Sequence, residues 1–295
     1  MRGLMFPTRK SFLNSVGLTS VLLLVATMAP ITSQADHHGL DDKTNAAIDA
    51  AIRGGHRSET NRARDQYRRP KETLEFFGFH SDMSVVEFSP GGGWYTEVLA
   101  PALRDGGKLY AAHYGMNSGN YQRRSLGGFL RKLGDAPDVY DQVIVTTISE
   151  SGGEPMAPLA SADLAVTFRN VHNWLEPGVG GEAGATATFA EMFRVLKPGG
   201  ILGVVEHRWP DPATEHKDAG NGYVSEERVI ALASAAGFEF VASSNHNRNP
   251  KDSHDHPNGV WSLPPELDAD DADKAKYRQI GESDRMVLKF RRPMN

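Results

Sequence analysis

The sequence predicts an α/β fold: a doubly wound, mainly parallel sheet with helices on both faces. Three observations point there. Strand-length apolar runs alternate with helical patterns from Ser84 almost to the C-terminus. The run Val85-Val86-Glu87-Phe88 passes into Ser89-Pro90-Gly91-Gly92-Gly93 and then a helix, Trp94 to about Leu103. That order is a buried strand, a turn without Cβ atoms and a helix N-terminus, an arrangement that binds small ligands in open α/β sheets. The third observation is size: 295 residues are enough for one such domain with a full core.

Taken in order, Asn45 to Phe77 reads as helical segments. Ile48 and Ile52 lie one turn apart, and Leu74, Phe76 and Phe77 form a second apolar patch. Arg57, Arg62, Arg64, Arg68 and Arg69 lie between them. They read either as a solvated helix face or as part of a lid, residues 45–78, that handles an anionic group. Strands follow at Ser84–Phe88, Lys108–His113, Gln142–Thr147, Leu164–Phe168 and Ile201–Glu206, with helices at Tyr121–Leu133 and Thr186–Leu196 between them. Ser225 caps a helix that Gly237 stops. Phe238–Ala242 and Arg285–Arg291 are the last strands, and 245–276 reads as a polar surface insertion.

The N-terminus reads as a secretory signal. Arg2, Arg9 and Lys10 precede an uncharged apolar run, Val16 to Ala29, and Ser33-Gln34-Ala35 supplies a cleavage site after Ala35. Residues 8–13 also resemble a twin-arginine signal in which Lys10 stands for the second arginine. The expectation is an exported, periplasmic protein of residues 36–295 in a single domain, with no membrane insertion after cleavage. The formal charge is −5, and removing the three basic residues of the signal leaves −8, which argues against a general nucleic-acid binder. The absence of cysteine excludes disulfides and thiolate chemistry.

Several motifs in their order resemble the class I S-adenosylmethionine-dependent methyltransferases: VVEFSPGGGW at 85–94, residues 106–114 and 161–174, LKPGG at 196–200, and residues 227–241 and 284–290. More narrowly the chain resembles predicted exported methyltransferases with a proline–triple-glycine motif, over about Arg62 to Pro293. The resemblance implies a Rossmann-like seven-stranded sheet whose last strand is antiparallel, S-adenosylmethionine as cofactor and a small-molecule acceptor. It places Glu87, Ser89, Gly91 and Gly93 against the cofactor, with His113 where an acid normally takes the ribose hydroxyls. A neutral imidazole offers one acceptor, so this position departs from the pattern.

The end of the fourth strand faces the transferred group in such proteins. Here Asn170 and Asn173 could orient a nucleophile, His172 could accept a proton, and Trp174 could stack on the sulfonium or the substrate. Glu206 and His207 end the fifth strand in an analogous place. Two other readings stay open. One is a non-catalytic binding protein that keeps the fold and takes another nucleoside or metabolite. The other is a metal-dependent enzyme using His246, His254 and His256 with Asp252 and Asp255, although the motif reading itself assigns no metal ligand. No Gly-x-Ser-x-Gly or Walker A sequence is present.

Overall fold

The computed structural model describes residues 39–148 and 155–295. The signal-type segment and its cleavage site lie outside them. Four helices come first: α1 (Asp42–Arg53), α2 (Glu59–Ala63), α3 (Asp65–Arg68) and α4 (Pro70–Phe77). Then follow β1 (Ser84–Phe88), α5 (Thr96–Leu103), β2 (Lys108–His113), α6 (Asn120–Asp135), α7 (Pro137–Tyr140), β3 (Val143–Thr147), β4 (Ala162–Phe168), α8 (Val171–Trp174), α9 (Gly181–Val195) and β5 (Leu196–Trp209). The chain closes with β6 (Val224–Ser225), α10 (Glu226–Ala235), β7 (Glu239–Ser244), α11 (Lys274–Ile280) and β8 (Arg285–Arg291).

The sheet runs β3-β2-β1-β4-β5-β8-β7, with β6 pairing the end of β5. The main strands are parallel except β8, which runs antiparallel to both β5 and β7. Both sheet faces are covered. Val86, Leu202, Val204 and Leu288 pack on one side with Phe189, Met192 and Val195 of α9 and Val229 of α10. Val85, Val166, Val205 and Val287 pack on the other with Ile48, Leu74, Phe77 and Leu99. Adjacent residues of one strand thus serve opposite cores, which is why Val85 and Val86 are both apolar rather than alternating with polar residues. The chain leaves β1 in one direction to β2 and β3, then returns to β4 on its other side. The cleft outside the C-terminal ends of β1 and β4 is therefore the topological switch point.

Four expectations are corrected. The helix after the glycine turn starts at Thr96, because residues 91–95 are spent in turns, with Gly93 N–H donating to Pro90 O. The strand expected at Ile201 starts at Leu196. Leu196 already pairs with Ala162, and a register shift absorbs the Pro-Gly-Gly residues. The short β6 adds an eighth strand. The 245–276 insertion is not confined to the surface: Asn247, Asp252, His256, Val260 and Leu263 are buried, and residues 260–266 supply one wall of the cleft.

Candidate functional site

The cleft at the switch point has two lobes. One, about 630 Å³, is walled by Phe88, Tyr114, Tyr121, Ile148 and Trp174, with Gln122 and Glu191 among its polar groups. The other, about 370 Å³, holds Arg64, Arg68, Arg169, His172 and His207, with Trp261 and Pro264 of the insertion on one wall. The lobes share Ser89, Tyr114, Tyr121, Asn170 and Asn173. Each is within the usual size of a small-molecule site.

The glycine turn separates into two functions. Gly91 and Gly92 line the smaller lobe, and a Cβ at either would meet nothing within 4 Å. The backbone there is open to a ligand. Gly93 is buried and lines neither lobe. A Cβ there would come within 3.0 Å of the Phe129 ring, and its φ of +74° disfavours any other residue. The close approach expected at Gly93 is therefore to α6, not to a ligand. Ser89 sits at φ +51°, lines both lobes and donates its N–H to Ala112 O at 2.8 Å.

Glu87 and His113 lie beneath this turn, and neither lines a lobe. Glu87 accepts from Thr96 Oγ1 at 2.6 Å at the start of α5, and burial pushes its carboxyl up to about 7. His113 is fully buried. Its Nδ1 accepts from the N–H of Tyr114 at 2.8 Å, so Nε2 carries the hydrogen and donates to Gly91 O at 3.1 Å. Burial lowers its pKa further, and the ring is neutral. The residue expected at a ribose instead props the turn. Tyr114, the next residue, is the one that faces the cleft.

At the other side of the cleft, β4 ends in a turn in which Arg169 has φ +59°, uncommon for a long side chain. Asn170 donates from Nδ2 to Phe88 O at 3.2 Å and to Thr167 Oγ1 at 3.0 Å, tying β4 to the end of β1. Trp174 is buried edge-on to Phe88 and Phe189, with centroids 5.3 and 5.2 Å away. His172 Nδ1 lies 3.0 Å from Glu206 Oε1. A carboxylate can only accept here, so Nδ1 donates and Nε2 is left with its lone pair. Glu206 is fully buried and also accepts from the N–H groups of Val171 (2.6 Å), His172 (3.3 Å) and His207 (2.7 Å). This is a carboxylate–imidazole pair, the arrangement that orients a general base. Of the expected residues, the cleft brings together Ser89, Gly91, Asn170, His172, Asn173 and Trp174.

The metal reading moves. Asp252 accepts from Tyr223 Oη, the N–H groups of His254 and Asp284, and His256 Nε2, so this loop carboxylate is consumed in packing the insertion. Among the described residues, the one His/acid group compact enough to hold a metal is His172, Glu206 and His207, with ligand atoms within 4.8 Å. The surrounding charge opposes a cation there. Burial, and after it the charges of Arg285, His172 and Arg169, hold His207 well below its ordinary pKa, and Glu206 has its lone pairs occupied.

Sequence reasoning missed two contributions. Arg169 was visible in the motif but without a role, and Trp261 and Pro264 lay in a segment whose polarity hid them. Of the five N-terminal arginines, Arg64 and Arg68 reach the cleft; their spacing of four residues was the available signal. Arg57 does not reach it: it pairs with Asp65 at 2.7 Å and with Glu97 at 3.3 Å.

No family pattern and no curated protein matches the sequence. Solved structures do match. A S-adenosylmethionine-dependent methyltransferase from Aquifex aeolicus superposes with TM-score 0.52 and 17% identity over 78% of this chain and 93% of its own. The chain has the Rossmann-like methyltransferase fold. The 4+2 cyclase SpnF superposes with TM-score 0.51 and 15% identity over 86% of this chain and 94% of its own. One fold thus carries two named activities, and only the residues of the cleft can choose between functions.

Proposed function

We propose that the protein is a S-adenosylmethionine-dependent methyltransferase acting on a small-molecule acceptor. The observation that carries this reading is the two-lobed cleft at the switch point, with an oriented His172 in the lobe next to the larger one. The residues fit the cofactor. Tyr114 and Trp174 offer aromatic walls and Ile148 an aliphatic one for a nucleoside, Gln122 and Asn173 offer amides, and the open backbone at Gly91 and Gly92 admits the amino-acid end. When bound, its sulfonium supplies an electrophilic methyl group.

The chain's own residues supply position and a base. Asn170 is fixed by Phe88 O and Thr167, so it presents a rigid surface where the lobes meet. Asn173 lines both lobes and can hold the acceptor's reacting group by its amide. His172 Nε2 takes the acceptor's proton, and the Glu206 carboxylate stabilises the imidazolium that results. The insertion residues Trp261 and Pro264 line one side of this lobe.

Calorimetric titration with S-adenosylhomocysteine tests the reading. One-to-one binding by the wild-type protein, lost in Gly92→Val, is the expected result. The valine fills cleft space at a position with ordinary backbone angles. Absence of binding in the wild-type protein would remove the cofactor and return the fold to another ligand.

A further inference from the structure

The smaller lobe carries a charge imbalance that methyl transfer alone does not explain. Arg64, Arg68 and Arg169 line it, and Arg285 lies against the same group. One carboxylate serves the set: Glu282 pairs with Arg64 at 2.5 Å, Arg68 at 2.9 Å and Arg285 at 2.5 Å. Glu206 is a buried acid that also acts on Arg169, but its oxygens are taken by three N–H groups and His172. Glu266 lies exposed on the rim.

Donors are also left over. Arg68 is 3% exposed, yet its second terminal nitrogen has no hydrogen-bond partner, and the same holds for one terminal nitrogen of Arg64. Arg169 makes no hydrogen bond or ion pair with any described side chain, although it is held at positive φ beside the cavity. Buried guanidinium groups are normally paired, because an uncompensated buried charge is costly. Loss of water and the neighbouring Arg285 press Arg169 down to about 10, which reports the same crowding of positive charge.

We propose that this lobe seats an oxyanion, a carboxylate or phosphate group, on the guanidinium groups of Arg64, Arg68 and Arg169. Planar forks of donors suit such groups. Two molecules could bring the anion: an acidic acceptor, or the methyl donor through its own amino-acid carboxylate. Only this choice of source rests on the methyl-transfer reading; the anion site itself does not.

The test is calorimetry on the full chain at low ionic strength with three probes: inorganic phosphate, S-adenosylhomocysteine and 5′-methylthioadenosine, which lacks the amino-acid end. Wild-type protein is expected to bind phosphate one-to-one, and Arg169→Gln to weaken it about tenfold or more. Arg169→Lys keeps the charge but not the fork and should fall between. Arg64→Gln, at a partly exposed side chain, serves if Arg169→Gln does not fold; circular dichroism and the thermal midpoint decide that. If Arg169→Gln loses phosphate but keeps S-adenosylhomocysteine, the acceptor brings the anion. If it weakens S-adenosylhomocysteine and leaves 5′-methylthioadenosine unchanged, the donor does. Phosphate binding by a protein that ignores S-adenosylhomocysteine would keep the anion site and defeat the methyl-transfer reading. Affinities for all probes unchanged in Arg169→Gln and Arg64→Gln, or no phosphate binding together with unchanged S-adenosylhomocysteine affinity, overturn the proposal.

Discussion

Glu87→Gln should make the protein more stable at alkaline pH. Glu87 is 1% exposed and makes no ion pair with a described residue. Its one side-chain partner is the Thr96 hydroxyl at 2.6 Å. Burial raises its carboxyl from 4.5 to about 7, against the opposing pull of Thr96 and the more distant Lys132. At 1.36 kcal/mol per pKa unit, ionising it in the folded protein costs about 3 kcal/mol more than in the unfolded chain. Below pH 4.5 both states hold the proton and the penalty is nil. Between 4.5 and about 7 the folded state keeps a proton that the unfolded state releases, so stability falls as pH rises. Above about 7 the full penalty persists. Glutamine has the same shape, no charge, and an oxygen that still accepts from Thr96. Urea unfolding from about pH 5 to about pH 9, followed by tryptophan fluorescence, reads the difference. The two proteins should be close at the acid end, and the variant ahead by about 1–3 kcal/mol at the alkaline end. A gap that does not change with pH, or a wild-type protein that is the more stable at pH 9, would refute the assignment of a neutral buried acid.

Gly93→Val should destabilise rather than block a ligand, by about 1–3 kcal/mol, because the new side chain enters the Phe129 ring and takes a positive φ; a denaturation midpoint equal to wild type counts against it. Glu282→Gln removes the carboxylate shared by three arginines and should cost about 3–5 kcal/mol. Added phosphate should raise the thermal midpoint of that variant more than that of the wild type, and equal shifts would contradict the charge argument. Once an acceptor is found, His172→Ala should lower kcat by about 10²–10⁴ with little change in S-adenosylhomocysteine affinity; an unchanged kcat removes it as the base.

Much of the fold was legible because burial on both faces writes itself into composition. Val85 and Val86 serve opposite cores, so neighbouring positions of the strand are apolar where a one-sided strand would alternate. The β8 limits are those read from its residues, since its run is bounded by polar sequence. Side-chain direction at strand ends was not legible. His113 and Tyr114 are adjacent, and only the twist of the chain decides which one faces the cleft. A glycine announces missing Cβ space but not its occupant: at Gly92 it is the cavity, at Gly93 a phenyl ring. The insertion was opaque for a different reason. Its order comes largely from hydrogen bonds that Asp252 accepts from Tyr223 and Asp284 and that Asn249 donates to Glu282 O, partners far apart in sequence.

The four contacts on Glu206 also fix the fate of a proton. Both oxygens are already engaged, by Val171, His172 and His207. Apart from the His172 ring, every described partner of Glu206 is a backbone N–H, so a proton passed along this pair goes no further than the carboxylate. On the proposed mechanism, the proton taken by Nε2 leaves the protein by the cleft through which the acceptor comes. Under that reading, deprotonation of the ring is tied to emptying of the lobe, and a slow product would hold the protein in its acidic form.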